Sequence, residues 1–268
     1  LAPGDVVTFY DVHETCWSCY HCLVARQPTR CPSRKVYGIT YSARDGLLGG
    51  WAEKIYLKPG VKIFRIPEGV TPEQVIGGGC GLFTGFAGVD RSRMQLGDSV
   101  LVQGAGPVGL SAAAFAALGG ASAVFMIGAP ESRLELGRSF GVDETFHLDE
   151  TTPEERRERI LDLTGGRGPD VVIEAAGHSS AVPEGLDLVR DGGTYVIVGH
   201  YSDVGSVPLN PHLDINKKHA TVLGQWGTAF HHLTRALTLL GRHSKRLPLQ
   251  NIIGKRYGLE EAGEALAD

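Results

Sequence analysis

Ser99-Val100-Leu101-Val102-Gln103-Gly104-Ala105-Gly106-Pro107-Val108-Gly109 is the stretch that decides the fold. Its first five residues, with Val100-Leu101-Val102 at their centre, read as a continuous buried strand. Leu110 to Leu118, rich in Ala, reads as a helix. Between them lies G-x-G-x-x-G, a weak signal alone but a specific one when a strand leads in and a helix leads out. Gly104 allows the tight turn, Gly106 lets the backbone approach a pyrophosphate, and Gly109 lets helix and strand pack closely. The helix start that follows offers free N–H groups and a positive dipole end to phosphate.

Outward from that motif, strands and helices alternate. Ala123–Ile127, Asp170–Glu174 and Thr194–Val198 read as strands, and 132–140 and 181–189 as helices. Alternation of this kind predicts an α/β domain built on a doubly wound parallel sheet with both faces covered. Upstream, residues 1–70 read as short strands and turns: Val6–Tyr10, a glycine turn at Gly49-Gly50 entering a strand through Leu57, and Lys62–Pro67. Thr71-Pro72-Glu73-Gln74 carries a helix start, with Thr as N-cap, Pro at the first helical position and Gln three residues on.

The second strand of the α/β unit ends in Ile127-Gly128-Ala129-Pro130. An Asp or Glu at that point would hydrogen-bond the ribose hydroxyls of NAD. Gly128 removes the carboxylate and its repulsion of a 2′-phosphate, so NADP becomes permissible. Arg133 either reaches the ribose or phosphate or is a solvated helix residue, and the choice between NAD and NADP stays open.

Four of the five cysteines, Cys16, Cys19, Cys22 and Cys31, fall in one short segment. An odd total with C-x2-C-x2-C spacing is a poor disulfide framework. Cysteines three apart turn their sulfurs toward a common point, which suits a tetrahedral zinc ion. His13 and His21 are nearby substitutes, and Trp17, Tyr20 and His21 are expected to pack or meet a neighbour. The spacing does not match a zinc ribbon.

Composition narrows the classes. The 268 residues carry 26 Lys+Arg against 30 Asp+Glu, a net charge of -4, which argues against a nucleic-acid platform or a basic membrane-docking face. No apolar run reaches the ~18 residues that a membrane span needs. No signal peptide is visible, and a cytoplasmic location is expected. The opening Leu1-Ala2-Pro3-Gly4-Asp5 reads as the middle of a longer protein.

Taken in order, these residues resemble the zinc-containing medium-chain dehydrogenases, the alcohol and polyol group. The resemblance rests on the cysteine loop 16–31, Gly49-Gly50-Trp51-Ala52-Glu53, and Gly79-Cys80-Gly81-Leu82-Phe83-Thr84-Gly85. The 104–109 motif, Glu174-Ala175-Ala176-Gly177 and the 217–224 segment complete it. It implies a Rossmann dinucleotide domain over about 71–238, inserted into a GroES-like, mostly β catalytic domain formed by 1–70 and 239–268. The cysteine loop becomes a structural zinc lobe, with its last gap one residue longer than usual. Cys80 becomes a catalytic zinc ligand, against the plain reading of a lone cysteine as a buried apolar residue. Thr84 and Val108 flank the nicotinamide. Gly104, Gly106, Pro107, Gly109, Gly128, Arg133, Ala176, Gly177, Gly199 and His200 line the cofactor, although His200 and Tyr201 also read as rim loop residues. Glu53 and Glu174 read as structural, and His231-His232 as surface or interface residues.

The implied activity is hydride transfer between a secondary, cyclic or polyol alcohol (or its ketone) and NAD(P), in a homodimer or homotetramer. In the family, two more catalytic zinc ligands and the proton relay come from a region corresponding to residues before Leu1. The rival readings are a zinc-free quinone or enoyl reductase of the same fold and a catalytically incomplete nucleotide-binding homologue.

Overall fold

A computed structural model describes all of residues 1–268. The upstream part holds short antiparallel pieces. β1 (Val7–Phe9) and β2 (Val12–Glu14) precede the small helix α1 (Tyr20–Leu23), then β3 (Lys35–Val36) and β4 (Ile63–Arg65). β1 pairs with β4 and β2 with β3. The strand expected at 49–57 does not form: the segment is irregular, and Trp51 is 66% exposed. Its apolar pattern fits a strand, but no neighbour supplies the ladder that a strand needs.

The central unit follows the predicted alternation. It runs α2 (Pro72–Ser92), β5 (Ser99–Gln103), α3 (Pro107–Leu118), β6 (Ala123–Gly128), α4 (Glu131–Ser139), β7 (Glu144–His147) and α5 (Pro153–Leu163). Then come β8 (Val171–Glu174), α6 (Ala181–Leu188), β9 (Thr194–Ile197), β10 (Thr221–Gly224) and α7 (Phe230–His243), with α8 (Ala262–Ala267) near the end. The six strands form one parallel sheet in the order β10-β9-β8-β5-β6-β7. The chain steps one way from β5 through β6 to β7, then returns to β8 and steps the other way. The switch point between β5 and β8 opens a crevice at the carboxyl ends of the strands, where such sheets bind ligands.

Period-two alternation buries both faces. Val100, Val102, Val124 and Met126 join the larger core with α3, α4 and α7. Leu101, Phe125, Ile127 and Tyr195 join the smaller one with Ile160, Val182 and Leu186. Sequence reasoning missed β7 and α5. β7 buries only Phe146 fully, and α5 is densely charged, with Arg156 and Ile160 its buried residues. Arg156 is held by Glu184, its Nε 2.7 Å from Oε1.

α2 begins as expected. Thr71 Oγ1 accepts from the Gln74 N–H at 3.2 Å, and Gln74 Oε1 accepts from the Thr71 N–H at 3.0 Å. The Gln74 side-chain amide also donates to the carbonyls of Ser244 and Leu247, tying the return segment to the helix start. α2 is broken at Gly79, whose φ of +50° and ψ of −141° are non-helical. Beyond that break its glycines meet α3 backbone to backbone. A Cβ at Gly81 would stand 2.8 Å from the Pro107 carbonyl carbon, and one at Gly85 would stand 2.6 Å from the Ala112 nitrogen. Gly85→Val is therefore expected to cost ~1–3 kcal/mol through overpacking. Urea denaturation of the variant beside wild type checks this, and an unchanged midpoint would show that the helices can part freely.

Candidate dinucleotide crevice and zinc lobe

The glycine loop is shaped by what surrounds it. Gly104 has φ +110°, and a Cβ there would lie 2.8 Å from Ala175 and Ala176 backbone atoms. A Cβ on Gly109 would fall 1.8 Å from the Gly104 carbonyl oxygen. Gly106 differs, because nothing stands within 4 Å of its would-be Cβ. It caps α3 in extended conformation with no side-chain hydrogen bond, and Pro107 has no N–H to satisfy. An open approach above an uncapped helix start is the arrangement that a pyrophosphate fits.

Across the crevice, Glu174 ties two loops together. Its fully buried carboxylate accepts from the N–H groups of Ala176 (2.8 Å), Gly177 (2.6 Å) and Gly199 (3.0 Å). Gly177 has φ +68°, and its Cβ would meet the Gly199 carbonyl oxygen at 2.6 Å. The structural role expected for Glu174 thus acquires a mechanism. It fixes the rim that carries Ala176, Gly177, Gly199 and His200. The His200 Nε2 is buried without a hydrogen-bond partner, 3.9 Å from Glu174 Oε2.

Gly81 and Gly85 are seated on α3 against Pro107, Val108 and Ala112, so their neighbours Cys80 and Thr84 lie on the part of α2 that borders the start of α3. Residues four apart share one helix face. Cys80 is exposed and Thr84 half-buried. Cys80 belongs to neither group of three or more gathered Cys, His or carboxylate ligand atoms. A catalytic zinc site uses three protein ligands, so the residues 1–268 do not complete one around Cys80.

At the ribose corner, Gly128 is glycine for a steric reason. A Cβ would stand 2.6 Å from the Ala105 Cβ. Arg133, in the first turn of α4, is half-buried.

The four clustered cysteines do gather. Their sulfurs all lie within 4.8 Å of one another, with Cys16 and Cys31 3.6 Å apart. A tetrahedron with Zn–S bonds of about 2.3 Å has edges of about 3.8 Å, so the donor set fits zinc. Trp17, at φ +50°, turns the chain between the first two ligands. His13 is engaged elsewhere, with its ring bonded to Tyr41 Oη and the Pro59 carbonyl. His21 is not in the cluster either. Trp17 and Tyr20 stand exposed, with the Tyr20 ring edge-on to His21 at 6.0 Å between centroids. The lobe docks on the sheet edge through Arg30 and Arg34, whose guanidiniums sit 5.4 and 5.5 Å from the Trp226 ring centroid.

Asp90, His231 and His232 form a second gathered group. The His232 Nδ1 accepts the Ala229 N–H at 3.0 Å, so the ring proton sits on Nε2, 3.7 Å from Asp90. In that tautomer the ring caps α7 and has no lone pair left for a metal. Burial first, then the neighbouring His231, pushes its pKa down to about 4. His231 is exposed as expected, whereas His232 is buried.

The zinc-binding dehydrogenase family pattern matches residues 107–242. The 5-exo-hydroxycamphor dehydrogenase of Pseudomonas putida is 38% identical over 267 residues, covering 99% of this chain and 72% of that protein. The chain belongs to the zinc-binding dehydrogenase family. D-arabinitol dehydrogenase 1 of Uromyces fabae is 30% identical, covering 98% of this chain and 71% of its own length. An alcohol dehydrogenase crystal structure from Thermotoga maritima superposes on 100% of this chain and 73% of that one, with TM-score 0.93 and 34% identity. A structure from Sinorhizobium meliloti 1021 bound to NADP superposes on 100% of this chain and 74% of that one, with TM-score 0.84 and 27% identity.

Two outcomes test the site. In the metal-free lobe, hydrogen bonds from Ser18 pull the Cys16 thiol down to about 6, and burial pushes Cys22 up to about 12. Zinc uptake near neutral pH must then release protons, the Cys22 proton among them, and affinity must fall on acidification. Calorimetry in buffers of different ionisation enthalpy reads the proton count, and zinc binding without proton release would contradict the thiolate site. Separately, Glu174→Ala leaves the Ala176 and Gly177 N–H groups without their acceptor, while the Gly199 N–H keeps the Glu174 backbone carbonyl at 2.9 Å, and is expected to destabilise by about 2 kcal/mol or more. Thermal denaturation checks this, and an unchanged melting temperature would remove Glu174 from its bracing role.

Proposed function

We propose that this protein transfers a hydride between a secondary, cyclic or polyol-type alcohol, or the corresponding ketone, and NAD or NADP. The observation that carries the proposal is the seating of Gly81 and Gly85, the neighbours of Cys80 and Thr84, on the start of α3 beside a glycine turn open at Gly106. The bound dinucleotide supplies or accepts the hydride. The chain's own groups bind and orient it. The first-turn N–H groups of α3 hold the pyrophosphate beside Gly104, Gly106, Pro107 and Gly109. Gly128 and Arg133 meet the adenosine ribose. Thr84 and Val108 flank the nicotinamide, and Ala176, Gly177, Gly199 and His200 form the rim that Glu174 braces. Holding ring and alcohol in contact lowers the barrier by removing the cost of bringing them together.

Cys80 is the one catalytic-zinc ligand that this chain offers, and Cys16, Cys19, Cys22 and Cys31 hold the structural zinc. The division into a cofactor domain at 71–238 and a catalytic part at 1–70 and 239–268 belongs to the same reading, with α7 spanning its second boundary. Relatives named for hydroxycamphor, D-arabinitol and sorbitol support the alcohol class. The edge strand β10, with Val222 exposed, offers a surface for a homodimer or homotetramer. No helix is long and apolar enough to cross a membrane. A cytoplasmic setting is part of the proposal.

The test is the full-length natural protein that contains residues 1–268, zinc-loaded and incubated with NAD or NADP and a panel of secondary, cyclic and polyol alcohols, followed by absorbance of reduced nicotinamide. Turnover with at least one alcohol is expected, with Thr84→Ala lowering it through looser cofactor placement. Cofactor binding with no turnover across the panel would overturn the dehydrogenase reading in favour of a nucleotide-binding homologue.

A further inference from the structure

The corner where β6 ends carries more information than the missing carboxylate. No side chain fits at Gly128, because Ala105 occupies the space. The one carboxylate in the turn that follows, Glu131, is committed elsewhere: Arg138 Nη1 donates to its Oε1 at 2.6 Å on the exposed side of α4. Asp149 and Glu150 lie on the exposed turn after β7. Two cationic or protonatable side chains, by contrast, have buried nitrogens with no partner: Arg133 Nη1 and His147 Nδ1.

Both belong to this corner. Arg133 is the third residue of α4, in the helical turn that follows Gly128-Ala129-Pro130. His147 is the register partner of Gly128 on β7. Ile127 and Phe146, the preceding pair, face the smaller core. Alternation therefore turns Gly128 and His147 to the opposite face, where Ala105 and α4 lie. Buried polar nitrogens are almost always paired, and each exception calls for an explanation. Here two exceptions share one corner that also lacks a free carboxylate.

We propose that this corner binds the 2′-phosphate of NADP(H), with Arg133 and His147 as its donors. The inference rests on reading the crevice as a dinucleotide site and adds the choice of dinucleotide. A phosphate monoester brings nearly two negative charges and three acceptor oxygens. It satisfies the guanidinium and the imidazole N–H together, where a ribose hydroxyl gives only one acceptor of lower charge.

The test uses fragments without nicotinamide, so turnover plays no part. Isothermal titration compares 2′,5′-ADP with 5′-AMP on the purified protein. The expected result is 2′,5′-ADP binding at least about tenfold more tightly, ~1.4 kcal/mol. His147→Ala is expected to shrink that preference while leaving 5′-AMP affinity within about twofold; Arg133→Ala, which also removes a contact to the shared ribose, is expected to weaken 2′,5′-ADP more than 5′-AMP, and Arg133→Lys to retain part of the preference. Retained 5′-AMP binding also shows that each variant is folded. Equal affinities in the wild-type protein, or tighter 5′-AMP, would overturn the 2′-phosphate assignment and leave the dinucleotide reading standing. Binding of neither fragment would overturn both. A variant that loses both ligands equally would show its residue acting on the shared part of the nucleotide, and that too would overturn the assignment.

Discussion

The backbone contact between α2 and α3 is the constraint on which the rest of the site depends. It exists because Gly81 and Gly85 have no side chains to hold the helices apart. Ordinary helix pairs stay 8–10 Å apart (roughly, between axes). Here there is no room for a Cβ between the two backbones, and that contact sets the second half of α2 against the start of α3. Cys80 and Thr84 stand beside these glycines on one helix, and Gly106 and Val108 stand at the start of the other. The break at Gly79 follows from the same need. The first half of α2 is committed to the return segment, where a Cβ on Gly77 would strike the Leu249 carbonyl oxygen at 2.1 Å. A straight helix would have to satisfy both dockings at once.

Electrostatics is arranged around that geometry. Glu174, a buried side chain, is held by hydrogen bonds from three backbone N–H groups. This leaves the positive ends of the site, the α3 start and Arg133, free for a phosphorylated ligand. The zinc lobe sits apart from these groups. It contributes by stacking Arg30 and Arg34 on Trp226, which itself stacks on Tyr201 at 5.4 Å, two residues beyond the Gly199 loop. The lobe thereby braces the rim from outside.

Much of this was legible in the sequence because the signals are local. The strand–glycine–helix run at 99–118, the cysteine spacing of 16–31 and the Thr71 capping box each depend on residues within one turn or loop. The failures have equally physical causes. Gly49–Leu57 looks strand-like, but a strand is a property of a pair and this segment has none. α5 hides behind its charges, although Thr152 and Glu155 form a capping box, the same signal that exposed α2. β7 offers a single fully buried residue. The unpartnered nitrogen of His147 is visible only once β7 is set beside β6, so no local pattern could have found it. Gly128 was noticed for what it lacks, and only Ala105 in the folded structure explains why it must be glycine.

The central claim is that the α2–α3 contact assembles one dinucleotide site from two distant stretches of sequence. A crystal structure of the protein with bound dinucleotide tests it most directly. The account predicts the pyrophosphate over Gly106 within hydrogen-bond reach of the α3 first-turn N–H groups, and the nicotinamide ring between Thr84 and Val108. A ring lying away from Thr84, or phosphates bound elsewhere than at the start of α3, would contradict it.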